Sequence, residues 1–118
     1  MIAIKRVYDE PAPDDGPRVL VDRLWPRGLS KERAHVDHWQ RDVAPSDDLR
    51  RWYGHDPAKW DEFRRRYEAE LSAGAAAAAL DRLRVLARQG RLTLVFGARD
   101  ATHSNAAVLR DLLSRMVM

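Results

Sequence analysis

Apolar and polar positions along the chain fall into two patterns, one of strands and one of helices. Ile2–Tyr8 is rich in β-branched and aromatic residues and stops at Asp9-Glu10-Pro11, which predicts a first strand. Asp9–Pro17 is a nine-residue loop with three prolines and the turn residues Asp14-Asp15-Gly16. Arg18–Trp25 contains the run Val19-Leu20-Val21 and predicts a second strand, stopped at Pro26-Arg27-Gly28 because proline supplies no ladder donor. Leu92–Phe96 has the continuous apolar character of a buried strand.

The helical pattern occupies the remainder. Ser30 is placed to cap a short helix, Lys31–Ala34, and Ser46 a second one with Leu49, Trp52 and Tyr53 on one face and Gly54 at its end. Asp56-Pro57 opens the clearest helix: Trp60, Phe63, Tyr67 and Leu71 form one apolar stripe, while Asp61/Arg65 and Glu62/Arg66 pair on the outer face. Ala75–Gln89 forms another, with Leu80 and Leu83 inward and Gly90 as its stop. Asn105–Met116 is the last, with Leu109, Leu112, Leu113 and Met116 toward the core. Val36–Asp42 reads equally as a short strand or as irregular chain.

Helices separating the later strands predict an α/β fold, a small, largely parallel sheet of three or four strands packed with helices. At 118 residues the chain is expected to be a single domain, 1–118. The first connection is too short for a crossover helix, so the pairing of the first strand stays open.

Composition narrows the function classes. Hydrophobic content of 45% with 33% charged residues belongs to a globular chain, not a disordered one. There is no cysteine, hence no disulfide and no thiolate chemistry. No apolar run approaches the length of a membrane span and the first residues lack a signal-peptide pattern, so no membrane association and a cytoplasmic location are expected. The formal charge of +3 invites a nucleic-acid reading. Against it, only three of the 21 basic residues are lysine and the 18 acids are interleaved with the bases, as coding bias and salt-bridged helix faces would give.

Two strand ends carry the candidate chemistry. In the second strand Val19, Val21 and Arg23 would share one face and Leu20, Asp22 and Leu24 the other. Asp22 and Arg23 cannot both be core residues. At a strand's carboxyl end, where open α/β sheets bind ligands, they can reach out of the sheet, with Arg27 overhanging the same edge. The segment after the last strand runs through Arg99, Asp100, Thr102, His103 and Asn105 into a helix, with Asp100 or Thr102 placed as its cap and an anion-attracting N-terminus. Arg23, Arg27 and Arg99 around that helix start would suit an oxyanion or phosphate, Asp22 and His103 being the candidate acid-base pair and Asp100, Thr102 and Asn105 further ligand contacts. The competing structural reading makes Asp22 and an arginine an ion pair that locks the loop, Trp25 a packing residue and His103 a cap. His35-x-x-His38 with Asp37 and Asp42 lacks a third ligand at a fixed spacing, so no metal and no cofactor are expected. Arg50-Arg51 and Arg64–Arg66 read as solvated, salt-bridged surface.

The segments KRVYDEP, VLVDRLWPRGLSKE, APSDDLRRWYGHDP, WDEFRRRYEAEL and LTLVFGARDATHSNAAVLRDLL resemble those of the YeaO-like proteins within domain of unknown function family 488. The resemblance spans nearly the whole chain, VDRLWPRG being its most specific part, and implies a bacterial α/β domain. Many members of the wider family have a cysteine in the last strand and a Cys-His-Arg run at the next helix start. This chain has Phe96 in that strand and Ser104-Asn105-Ala106 at the helix start, which argues against a thiol mechanism. The sequence therefore supports a small anion-binding site, with binding ahead of hydrolysis because no nucleophile is evident. The other classes are a nucleic-acid accessory protein and a structural domain forming a homodimer.

Overall fold

The computed structural model describes residues 1–117. Strands β1 (Ile2–Arg6), β2 (Arg18–Leu20), β3 (His38–Trp39) and β4 (Leu92–Phe96) form one sheet in the order β1-β4-β2-β3, with every neighbouring pair parallel. Leu94 lies opposite Ile4 on one side and Val19 on the other, and Leu20 lies opposite Trp39. The pairing left open by the short first connection is thus resolved: β1 is an edge strand, separated from β2 by β4. All five residues of β4 are buried, as a central strand covered on both faces requires.

The two faces are covered differently. Val19, Leu92, Leu94 and Phe96 pack beneath α2 (Asp47–Tyr53), α3 (Trp60–Glu70), α4 (Gly74–Gln89) and α5 (Asn105–Met116). Within this core Tyr53 and Phe63 stack with ring centroids 4.1 Å apart, and Tyr67 packs tilted against Phe63 at 5.6 Å. On the opposite face Leu20 and Val95 meet Val7 and Ala34, with Trp25, Leu29, Val36 and Trp39 against them. The cover there is chain folded back around the short α1 (Lys31–Ala34), not a long helix.

Three predicted elements differ from the structure, the first being the opening strand, which ends at Arg6 and not Tyr8. The second strand ends at Leu20, not Trp25. Its partner β3 is only two residues long, and side chains take over the hydrogen bonding of β2 beyond Val21. Val36–Asp42 resolves into β3 followed by a 3₁₀ turn, Arg41–Val43. The helix opened by Asp56 starts with its own 3₁₀ turn, Pro57–Lys59, capped by the Asp56 side chain on the Ala58 N–H.

At the amino-terminal edge of the sheet lies a buried polar group. The Asp15 carboxylate receives Arg18 Nη1 at 3.0 Å, the Ala12 N–H at 3.0 Å and Lys5 Nζ at 3.3 Å. Arg18 also donates to the carbonyls of Ala34 and His35, and the Thr93 hydroxyl donates to the Asp15 carbonyl. Arg18 and Asp15 are 3% and 4% exposed, so every donor and acceptor must find a protein partner, and each does. Burial acts to raise the Asp15 carboxyl, but the Ala12 N–H, Arg18 and Lys5 together hold it below its ordinary value. No helix among the described residues is long and apolar enough to cross a membrane.

Candidate functional site

The site begins where β2 leaves the sheet. The Val21 N–H still donates to Val95 at 3.1 Å. At the next position the Asp22 carboxylate, not a backbone carbonyl, receives the Gly97 N–H at 2.8 Å. Asn105 Nδ2, at the start of α5, donates to the Val21 carbonyl at 2.9 Å. Asp22 and Asn105 thus tie the ends of β2 and β4 to the first turn of α5.

The chain then enters the Pro-Arg-Gly turn, which is clamped on both sides. The Trp39 indole N–H donates to the Asp22 carbonyl at 2.8 Å, and the Trp25 indole N–H to the Leu29 carbonyl at 2.6 Å. The two indoles meet edge to face with centroids 5.3 Å apart. The Tyr8 hydroxyl donates to the Arg27 carbonyl at 3.1 Å, and Gly28 adopts φ +70°, which favours glycine. The backbone of Arg27 is therefore fixed, while its side chain is exposed and makes no hydrogen bond or ion pair among the described residues.

Beside this turn opens a pocket of about 430 Å³, a volume suited to a small ligand. Its walls are the Asp22–Arg27 segment, Gly97 and Ala98 beyond β4, His103–Asn105 at the head of α5, and Ala44, Pro45, Arg50, Tyr53, His55 and Phe63 from the α2 side. It lies at the carboxyl ends of β2 and β4, where open parallel sheets present their binding crevices.

Charge around the pocket is mixed. Burial raises the Asp22 carboxyl above its ordinary value, although the Gly97 N–H, the Asn105 amide and the charge of His55 pull the other way. Asp22 makes no ion pair within 4.0 Å among the described residues, which overturns the loop-locking ion pair as a structural account of it. Arg23 instead donates to the carbonyls of Ala44 at 3.3 Å and Pro45 at 3.4 Å and lies 4.0 Å from Asp47. Arg50 meets the same Asp47 at 3.5 Å. The Tyr53 hydroxyl donates to the His103 carbonyl at 2.8 Å; burial first, then Asp100 and Asp56, push its phenol upward. His103 Nδ1 faces Asp100 Oδ2 at 2.7 Å, and its ring stands edge-on to Trp60. That contact to His103 holds the Asp100 carboxyl below its ordinary value.

Of the residues singled out in the sequence, Asp22, Arg23, Arg27, His103 and Asn105 converge on the pocket. Arg99, Asp100 and Thr102 do not line it: Arg99 and Thr102 point to solvent, and Asp100 supports the His103 ring. The cap of α5 is neither Asp100 nor Thr102 but Ser104, whose Oγ receives the Ala107 N–H at 3.2 Å. Its extended backbone, φ −94° and ψ 159°, is the geometry a capping residue needs. Arg50, Tyr53, His55 and Tyr8 are lining residues that the sequence reading did not assign to a site. For His55 the signal was the short Gly-His-Asp-Pro break between two helices, where Gly54 and His55 both take positive φ and turn the imidazole back toward Tyr53.

Comparison with known proteins places these features in context. The family model DUF488-N3i, described as the inactive DUF488-N3 subclade, matches residues 1–118. The uncharacterized protein Rv3073c of Mycobacterium tuberculosis is 47% identical over 113 residues, covering 96% of this chain and 93% of the relative. The uncharacterized protein YeaO of Escherichia coli is 39% identical over 112 residues, covering 95% and 96%. No solved structure matches the chain.

Proposed function

The chain belongs to the DUF488-N3i family, the inactive DUF488-N3 subclade, and on that premise we propose that its pocket binds a small anionic ligand, of phosphate or carboxylate type, without transforming it. The observation that carries this reading is the presence of Arg23, Arg27 and Arg50 on the walls of a single pocket at the strand carboxyl ends. Arg27 has all its side-chain donors available, and its backbone is fixed on a rigid turn. Arg23 and Arg50 retain donors beyond those spent on Ala44, Pro45 and Asp47.

Every hydroxyl lining the pocket is engaged within the chain, which supports binding over hydrolysis. The Ser104 hydroxyl donates to the Ala101 carbonyl and caps α5, and the Tyr53 hydroxyl is committed to His103. The chain has no cysteine. Asp22 and His103, the candidate acid and base, then serve recognition. The arginines that suggested nucleic acid are engaged with acids: Arg64 with Asp111 at 3.2 Å, Arg65 and Arg66 with Glu62, and Arg66 also stacked 4.3 Å over Trp52. A surface paired in this way favours the pocket over a nucleic-acid face.

A thermal-shift screen against phosphate, sulfate, sugar phosphates, nucleotides and short oligonucleotides tests the proposal. A small anion that binds the native state raises the melting temperature, and Arg27→Ala reduces that rise. No shift with any small anion, or an equal shift in the variant, contradicts it.

A further inference from the structure

Asp22 is the odd member of an arginine-lined pocket. Most of its surface is buried, it lines the cavity, and one carboxylate oxygen receives the Gly97 N–H. A carboxylate accepts about four hydrogen bonds, so capacity remains. Arg23 follows it in the chain yet turns to Ala44, Pro45 and Asp47, leaving Asp22 with no ion pair among the described residues and His55 as the only cation that acts on it, from beyond contact distance. An anion lodged alone beside Asp22 would be repelled by it. A ligand that brings its own donor to Asp22 removes that conflict.

The rest of the lining defines what lies between. Tyr8, exposed, and Trp25, half-buried, offer aromatic surface, and Ala44, Pro45 and Ala98 offer apolar surface. The polar lining comes from three elements: Asp22 where β2 ends, Arg27 on the turn and Arg50 on α2. Resting on the anion-binding reading above, we infer that the ligand is a ring-bearing amphoteric acid, whose N–H group is received by Asp22 while its anionic group meets Arg27 and Arg50. A cationic N–H is the best match, since a charge-assisted bond in a partly desolvated wall is stronger than a neutral one.

The test compares matched probes, para-(aminomethyl)benzoate and para-ethylbenzoate, which differ by an ammonium in place of a methyl. Their affinities are measured by NMR titration on the wild-type chain and on Asp22→Asn. Asparagine keeps an acceptor for the Gly97 N–H, and a thermal melt verifies the variant's fold. The amino probe is expected to bind roughly ten-fold or more tightly than the ethyl probe to the wild type, and the preference to fall several-fold or more in Asp22→Asn. Equal affinities, or an unchanged preference in the variant, overturn the inference and leave anion binding standing. Neither probe binding while inorganic phosphate binds in the same cell overturns the ring-bearing class. No binding by the probes, phosphate or any anion of the screen removes both this inference and the reading beneath it.

Discussion

Replacing Asp15 by alanine perturbs the most completely buried ion pair of the fold. Arg18 Nη1 lies 3.0 Å from Asp15, with both side chains no more than 6% exposed. Removing the carboxylate leaves a buried guanidinium without its counter-charge, a loss of about 3–5 kcal/mol in general. Arg18 keeps its bonds to Ala34 and His35, which places the expected cost at the lower end, about 3 kcal/mol. With roughly 2.1 cal/mol/K of unfolding entropy per residue over this chain, that is a fall in melting temperature of roughly 12 °C. Urea unfolding followed by circular dichroism measures the loss, and Asp15→Ala/Arg18→Met should recover much of it because no orphaned charge remains. A single-variant cost under about 1 kcal/mol, or a double variant no better than the single, would falsify the reasoning. Because the folded-state carboxyl is depressed, its stabilisation is present above the ordinary aspartate pKa and lost as pH falls through the folded value. The gap between wild type and an Asp15→Asn variant therefore closes in acid.

Other consequences are open to similar checks. Asp22 is shifted the opposite way, so its folded-state contribution is favourable below the ordinary carboxylate pKa and is lost as pH rises through the raised value. Asp22→Asn should raise the melting temperature at neutral pH, with the gain vanishing in acid; a lowered value at neutral pH would count against the assignment. Gly16 takes φ +63°, and a Cβ there would strike the Arg91 carbonyl, whereas Gly28 at φ +70° faces open space. Gly16→Ala should thus cost well over the roughly 1–2 kcal/mol of left-handed backbone that Gly28→Ala incurs, and similar unfolding midpoints would refute the difference. Ser104→Ala should lose about 1 kcal/mol as a cap while Thr102→Ala changes little, read from the same denaturation curves.

The sequence carried the periodicities of α2 to α5 and the buried strand β4 in plain form, because each buries one apolar face and is bounded by a cap or a glycine. Strand β2 was legible only at its start. Local residue preference continues through Val21 to Trp25, but the pairing partner ends, and that depends on β3, whose residues lie nineteen positions further along the chain than their partners in β2. The pocket was half legible. Asp22, Arg23 and Arg27 stand out as charges after an apolar run, and His103 and Asn105 as polar residues before a helix. Arg50 and His55 reach the pocket through the α2 turn, and their partners Asp47 and Tyr53 become informative only in three dimensions. Arg18, at the head of an apolar strand, gave no hint that Asp15 three residues earlier would neutralise it in the interior.

The anion site depends most on Arg27, whose backbone is held on a rigid turn and whose side chain has no partner among the described residues. Its most direct test is titration of the best small anion from the screen into wild type and Arg27→Ala by calorimetry, at low and moderate salt. We predict saturable binding that weakens about ten-fold or more in the variant, with the melting temperature of the free protein unchanged within about 2 °C, as for an exposed, unbonded side chain. Equal affinity in the two proteins, or a variant that loses stability instead of binding, would contradict the assignment of this pocket as an anion site.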